Sequence, residues 1–127
     1  MATHWTLTGD AIDPQRLAAF WKLAIGYVDE DGYDYQYGAS LVDPDGIGPA
    51  VSFLRVPEPK SAKNRLHIDI RVATLATIEP TERDELIRAK VLELLSAGAQ
   101  VVHETLWNGH VEGVVMTDPE GNEFCVA

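Results

Sequence analysis

The sequence predicts an α+β chain, a single domain of two βαβββ modules covering about residues 1–57 and 65–127. Three observations lead there. The order strand, helix, three strands can be read twice, from polarity alternation at strand spacing and apolar recurrence at helix spacing. The same punctuation recurs in both passes: His4 with His67, Gly26 with Gly98, and Asp43-Pro44-Asp45-Gly46 with Asp118-Pro119-Glu120-Gly121. Their offsets of 63, 72 and 75 residues drift as a longer helical segment in the second copy would require.

Each element has a local reason. Residues 4–8 alternate, with Trp5 and Leu7 on one side and His4, Thr6 and Thr8 on the other, which predicts the first strand. Asp13 and Pro14 supply an N-cap and a first-turn proline. Leu17, Phe20, Trp21 and Ala24 follow at helical spacing and Gly26 ends the run, so a helix is predicted over 13–25. Strands are predicted at Tyr33–Tyr37, Ala39–Val42 and Ala50–Val56, the last two separated by the Asp43–Gly46 turn. The acidic group Asp29, Glu30, Asp31 and Asp34 reads as a solvated turn, and residues 57–65 as a polar, proline-bearing connector.

In the second module, residues 67–72 alternate cleanly. Ile68, Ile70 and Val72 form one face, and His67, Asp69 and Arg71 the other. A helix opens near Thr81 with Asp84 at capping-box spacing, presents Leu86, Ile87, Val91, Leu94 and Leu95, and ends at Gly98. Strands are predicted at Ala99–His103, Val111–Thr117 and Glu123–Val126, with Trp107 and His110 in a loop.

Composition narrows the function. With 46% hydrophobic and 24% charged residues the chain has globular, not disordered, composition. Its 20 acidic against 10 basic side chains, a net charge of −10, exclude a general binder of nucleic-acid backbone and disfavour an anionic membrane surface. The single cysteine, Cys125, excludes an intrachain disulfide and CxxC metal clusters. Neither a secretory signal in MATHWTLTGD nor an apolar run of membrane-spanning length is present, so a cytoplasmic protein is expected. No phosphate-loop or dinucleotide glycine motif and no Gly-x-Ser-x-Gly occurs.

In a βαβββ unit, one sheet face packs on the helix and the other stays open. The open-face candidates are His4, Thr6 and Thr8 on the first strand, His67, Asp69 and Arg71 on the fifth, and Glu123 and Cys125 on the last, with Trp107 at the rim. Phe124 and Val126 are assigned to the core. Plainer alternatives stand beside these roles: a hydrogen-bonded strand-start His67, an Asp69–Arg71 ion pair and a buried, inert Cys125.

The segments Asp13–Trp21, Lys63–Val72 and Val115–Val126 together resemble the vicinal oxygen chelate superfamily, and within it the glyoxalase-like domain of bacterial single-domain proteins. The resemblance covers essentially the whole chain. It implies a cupped eight-stranded mixed sheet (the glyoxalase/dioxygenase-like fold) and usually a homodimer. Enzymes of the superfamily commonly hold a divalent metal between the first and last strands of each module, whereas members resembling bleomycin-resistance proteins bind a small molecule without metal.

Carried onto this sequence, the first-strand ligand position falls on His4 or Thr6, and its second-module counterpart on His67. The carboxylate expected near the end of module one falls within Phe53–Leu54, where none exists, and that of module two falls on Cys125. Glu123 lies two residues earlier on the same face. The expectation is therefore a small-molecule-binding protein without a standard catalytic metal. Its predicted ligand residues are His4, Thr6, His67, Asp69, Arg71, Trp107, Glu123 and Cys125, and its ligand lies between the paired modules. One alternative is a metal-dependent lyase, isomerase or dioxygenase using His4, His67 and Glu123, or a zinc site of His/His/Cys type. Another is a metal-free enzyme with His67 or Glu123 as base.

Overall fold

The computed structural model describes residues 1–33, 35–73 and 78–127, and the chain falls into two compact units, Met1–Pro59 and Lys60–Ala127. The boundary lies inside the predicted connector. Asp34 lies outside the described residues. No helix among the described residues is long and apolar enough to cross a membrane.

In the first unit, β1 (Leu7–Ala11), α1 (Pro14–Ile25), β2 (Val28–Asp29), β3 (Gly38–Val42) and β4 (Val51–Arg55) follow in order. The sheet order is β1-β4-β3-β2, with β1 parallel to β4 and the other pairs antiparallel. The helix forms for the reasons read from its ends. Asp13 accepts the Arg16 N–H at 3.2 Å, Pro14 occupies the first turn, and Gly26 closes the helix in the left-handed region at φ 74°. Its inner face of Leu17, Ala18, Phe20, Trp21 and Ala24 packs with Ala39, Leu41, Val51 and Phe53 to form the core.

Two strand assignments change. The first strand begins at Leu7, not His4, because Leu7 N–H bonds the Ala50 carbonyl at 2.9 Å and β4 begins only at Val51. Among the described residues, those before Leu7 have no partner strand, and Trp5 is 65% exposed. The strand predicted at Tyr33–Tyr37 is absent among the described residues; the second strand is Val28–Asp29, paired with Val42 and Leu41. Tyr33 and Tyr35 instead meet edge to face with ring centres 5.5 Å apart, while Gln15 Nε2 donates to the Tyr35 and Gly38 carbonyls. Aromatic packing and side-chain hydrogen bonds replace the ladder there.

The second unit contains β5 (Asp69–Ile70), α2 (Pro80–Ser96), β6 (Gln100–Trp107), β7 (His110–Thr117) and β8 (Glu123–Val126). Its sheet order is β5-β8-β7-β6, again with one parallel pair, β5 with β8. Ile70, Ile87, Leu94, Val111, Val114, Met116, Phe124 and Val126 are buried. Within α2 the buried residues are Ile87 and Leu94; the expected Leu86 and Leu95 stand at the exposed edges of that stripe.

Here too the ends of elements moved. The α2 N-cap is Glu79, so Thr81 lies inside the helix and no Thr81–Asp84 capping box forms; the Asp84 carboxylate instead takes the Val111 N–H at 2.7 Å and lies 2.8 Å from His110 Nδ1. Asp84 thus ties the helix to β7 instead of to its own first turn. Residues 104–110 are not a loop: β6 runs on to Trp107, and Asn108 (φ 51°) and Gly109 (φ 78°) make a two-residue hairpin turn.

The duplication is visible in the turns. Asp43 accepts the N–H groups of Asp45, Ile47 and Gly48, and Asp118 those of Glu120 and Asn122. Each aspartate carbonyl also takes the glycine N–H three residues on, at 2.9 Å in both.

Candidate functional site

The β5–β8 pairing places polar side chains away from α2. Ile70, Phe124 and Val126 are buried, while His67 and Asp69 are exposed and Cys125 is half-buried. The alternation read from 67–72 and 123–126 therefore holds. Asp69 stands opposite Cys125 across the parallel pair, and His67, Asp69 and Cys125 bring one ligand atom each to within 4.8 Å of one another. The ladder extends beyond the two residues of β5: Cys125 N–H bonds Ile68 O, Ala127 N–H bonds Ile70 O, and Val72 N–H bonds Ala127 O.

Within the group, His67 Nδ1 lies 3.0 Å from Asp69 Oδ1. A carboxylate can only accept, so Nδ1 carries a proton in this contact. Partial burial pushes the Cys125 thiol up, and the charge and hydrogen bond of Asp69 push it further. The hydrogen-bond partner of Asp69 is His67; among the described residues it makes no ion pair with Arg71. Arg71 occupies the next position of the same parity, and is exposed.

Glu123 shares the face but is committed elsewhere. Its two oxygens accept Lys60 Nζ and the Asn64 N–H, each at 2.9 Å. The Asn64 N–H first, then Lys60, hold its carboxyl down at about 2. A carboxylate so anchored fastens the connector to β8. It is neither a base poised near neutrality nor an open metal ligand.

The remaining predicted residues lie apart. His4 and Thr6 are exposed in the segment before β1, outside any strand. The equivalence of His4 with His67 is corrected by the ladders. Val56 N–H bonds Ala11 O, and Ala127 N–H bonds Ile70 O, so Ala11 matches Ile70 and Val56 matches Ala127. By register, Thr8 then matches His67, Asp10 matches Asp69, and Leu54 matches Cys125. The face of the first sheet turned away from α1 carries instead a row of hydroxyls, exposed Thr8, half-buried Ser52 and fully buried Ser40, with the Ser40 and Ser52 Oγ atoms 2.8 Å apart. Trp107 is exposed at the β6 hairpin end, about 13 Å along the strand from His103. His110 is held by Asp84.

His103 is the open-face residue that alternation does not reveal. Val101 pairs with Met116 and His103 with Val115, so Val102 is an extra residue, a bulge. Counting without it, His103 falls beside Val101 on the helix side. With it, His103 lies opposite Val115, and its neighbour Glu104 turns to α2, where it pairs with Arg88 at 3.0 Å. One cross-strand row of the open face is therefore Asp69, Cys125, Val115, His103.

The donor set fits one kind of metal. One imidazole, one carboxylate and one thiol from a single unit match a zinc-type ion with three protein ligands better than an ion preferring an all-oxygen shell. Thiolate ligation also requires Cys125 to surrender its proton.

The profile of the glyoxalase-like domain family matches residues 6–127. No curated protein matches the chain. Solved structures that resemble it include a glyoxalase/bleomycin resistance protein/dioxygenase family enzyme from Burkholderia phytofirmans PsJN, with TM-score 0.70, 17% identity and coverage of 95% of this chain and 94% of that one. A hypothetical protein from S. aureus follows, with TM-score 0.68, 18% identity and coverage of 99% and 93%. A variant of the fosfomycin resistance protein FosX from Listeria monocytogenes, complexed with Mn(II) and dihydroxypropylphosphonic acid, has TM-score 0.65, 13% identity and coverage of 99% and 90%. At these identities the likeness is one of fold.

Proposed function

The chain belongs to the glyoxalase-like domain family, and from that premise we propose that it binds a small organic molecule on the open sheet face of its second unit. The convergence of His67, Asp69 and Cys125 within 4.8 Å carries this reading. An imidazole held by its Nδ1, a carboxylate and a thiol are hydrogen-bonding groups set into a sheet whose other face is the core. Glu123, Lys60 and Asn64 supply the rigid border. Thermal-shift screening of a metabolite and antibiotic panel, followed by calorimetry on the hits, tests it. Hits weakened at least tenfold by His67→Ala are expected, and hits indifferent to both His67→Ala and Cys125→Ser would refute it.

The same three residues favour a second reading, in which they hold a divalent ion and the protein is a metal-dependent enzyme of its superfamily. The FosX variant was solved with Mn(II), and the donors here suit zinc. When bound, such an ion would act as a Lewis acid toward ligand oxygens. Chelator-treated protein titrated with zinc and manganese chlorides is expected to take up zinc, with loss of binding in Cys125→Ser. Failure to bind either ion would remove this reading and leave the first intact.

For assembly we propose a homodimer. The edge strand β6 supports it, because Val101, Val102 and Leu106 are exposed there. Sedimentation equilibrium at micromolar concentration decides.

A further inference from the structure

A strand bulge that turns an imidazole onto a binding face costs regular pairing, and bulges commonly re-aim a side chain beside a functional site. Here the Val102 bulge does this to His103, in the same cross-strand row as Asp69 and Cys125. Between the two polar ends, the row holds only Val115, and the neighbouring row holds Gly113 opposite Thr105. An added Cβ at Gly113 would meet the Val126 carbonyl oxygen at 3.6 Å and the Ala127 Cβ at 3.9 Å, ordinary contacts. The packing of the unit therefore does not demand a glycine there, and its absence of a side chain keeps the surface beside Val115 low. Val115, Gly113 and Cys125 are all half-exposed, and His103 is exposed.

We propose that His103 is a specificity-determining residue that reads the far end of the ligand, whose near end meets His67, Asp69 and Cys125, and that the ligand is a single planar ring with polar groups at opposite ends. This rests on the preceding reading of the open face as the ligand site. Spacing decides the size. Along the row His103 stands two strand spacings from Cys125 and three from Asp69, about 10 and 14 Å. A para-disubstituted ring, about 6 Å between its end oxygens, adds one hydrogen bond of about 2.8 Å at each end and so spans about 11–12 Å. A two-carbon polar molecule is too short to touch both edges, and the low surface of Val115 and Gly113 offers a flat seat to a ring. His103, Thr105 and Gln100 on β6 carry no fixed charge when the imidazole is neutral, so a hydroxyl or carbonyl suits that end better than a phosphate.

The test uses calorimetric titration of the whole chain with three probes: 4-hydroxybenzamide, benzamide, which lacks the second polar end, and the saturated trans-4-hydroxycyclohexanecarboxamide. Tightest binding of 4-hydroxybenzamide is expected. His103→Ala should weaken it about tenfold while leaving benzamide unchanged, a selectivity that general damage to the fold would not produce. His103→Gln, which keeps a hydrogen-bonding group, should restore part of the loss. Equal binding of the saturated probe, equal loss for benzamide in His103→Ala, or no binding of any probe at millimolar concentration would each overturn the proposal. If screening hits respond to His67→Ala but not to His103→Ala, the site stands and the ring ligand falls. If they respond to none of His67→Ala, Cys125→Ser and His103→Ala, both fall.

Discussion

Replacing Glu123 by glutamine isolates the clamp that fastens the connector to the last strand. Its carboxylate and the Lys60 ammonium are mostly shielded, with side chains 21% and 18% exposed, and a second oxygen takes the Asn64 N–H. Holding a glutamate at about 2 instead of 4.5 corresponds to about 3 kcal/mol of stabilisation if shielding were complete. The residual exposure of both partners reduces that to roughly 1–2 kcal/mol. The folded-state value is depressed, so the contribution is fully present above pH 4.5 and is lost as pH falls toward 2. Urea unfolding of wild type and Glu123→Gln across that range should give a gap of about 1–2 kcal/mol at pH 7 that closes by pH 2. Asp43 and Asp84 are also held below the usual carboxylate range, but they act equally in both proteins and cancel in the difference. Hydrogen exchange at the Asn64 amide supplies a local readout, with faster exchange expected in the variant. A stability gap that does not change between pH 7 and 2 would refute the assignment of this carboxylate as a charged clamp.

Other substitutions test the packing and the site. Gly113→Ala should stabilise by about 0.5–1 kcal/mol, since the strand gains a side chain with ordinary contacts. Gly38→Ala should destabilise by about 1–3 kcal/mol, because the new Cβ would run into the Phe53 carbonyl; chemical denaturation of both variants checks the contrast. Leu17→Ala, at a fully buried position under the first sheet, should cost about 2–5 kcal/mol by the same measurement. Iodoacetamide should alkylate Cys125 slowly at neutral pH, and Asp69→Asn should shift the pH–rate profile downward by removing the charge and hydrogen bond that hold the thiol up.

What was legible in the sequence is what is decided locally. The ends of α1 were readable because Asp13, Pro14 and Gly26 act within one helical turn. Both Asp-Pro-x-Gly turns were readable because each aspartate bonds its own following amides. The alternation at 67–70 and 123–126 found the face shared by His67, Asp69 and Cys125, although not that Asp69 pairs with His67 instead of Arg71. Strand ends were not legible, because Leu7 becomes the start of β1 only through where β4 begins, more than forty residues away. The commitment of Glu123 depends on Lys60 and Asn64 in the connector, contacts about sixty residues distant in sequence. The Thr81–Asp84 capping box is absent because the helix begins at Pro80, which puts Thr81 inside it, and Asp84 accepts the Val111 N–H from β7. His103 was hidden by a bulge, which inverts parity without leaving a mark in composition. The Asn108-Gly109 hairpin, by contrast, was a local signal that the reading of a loop overlooked.

The two units share their scaffold and differ in their chemistry, and the division follows the physics of a two-faced sheet. Positions that close turns or face a helix are constrained in both copies, as Asp43 and Asp118 show. Exposed positions on the other face, such as Thr8, Asp10 and Leu54, carry little of the packing, so they can differ at small cost to folding. Register sets Thr8, Asp10 and Leu54 in the first unit where the second has His67, Asp69 and Cys125. A hydroxyl, a carboxylate and an aliphatic chain make a poor metal site and offer no imidazole to act as a base. The first unit's equivalent positions are therefore not a second copy of the candidate site. Thr8→Val should leave zinc uptake and small-molecule hits unchanged in calorimetry, whereas His67→Ala should remove them. Equal losses from both variants would show that assigning the site to the second unit alone is wrong.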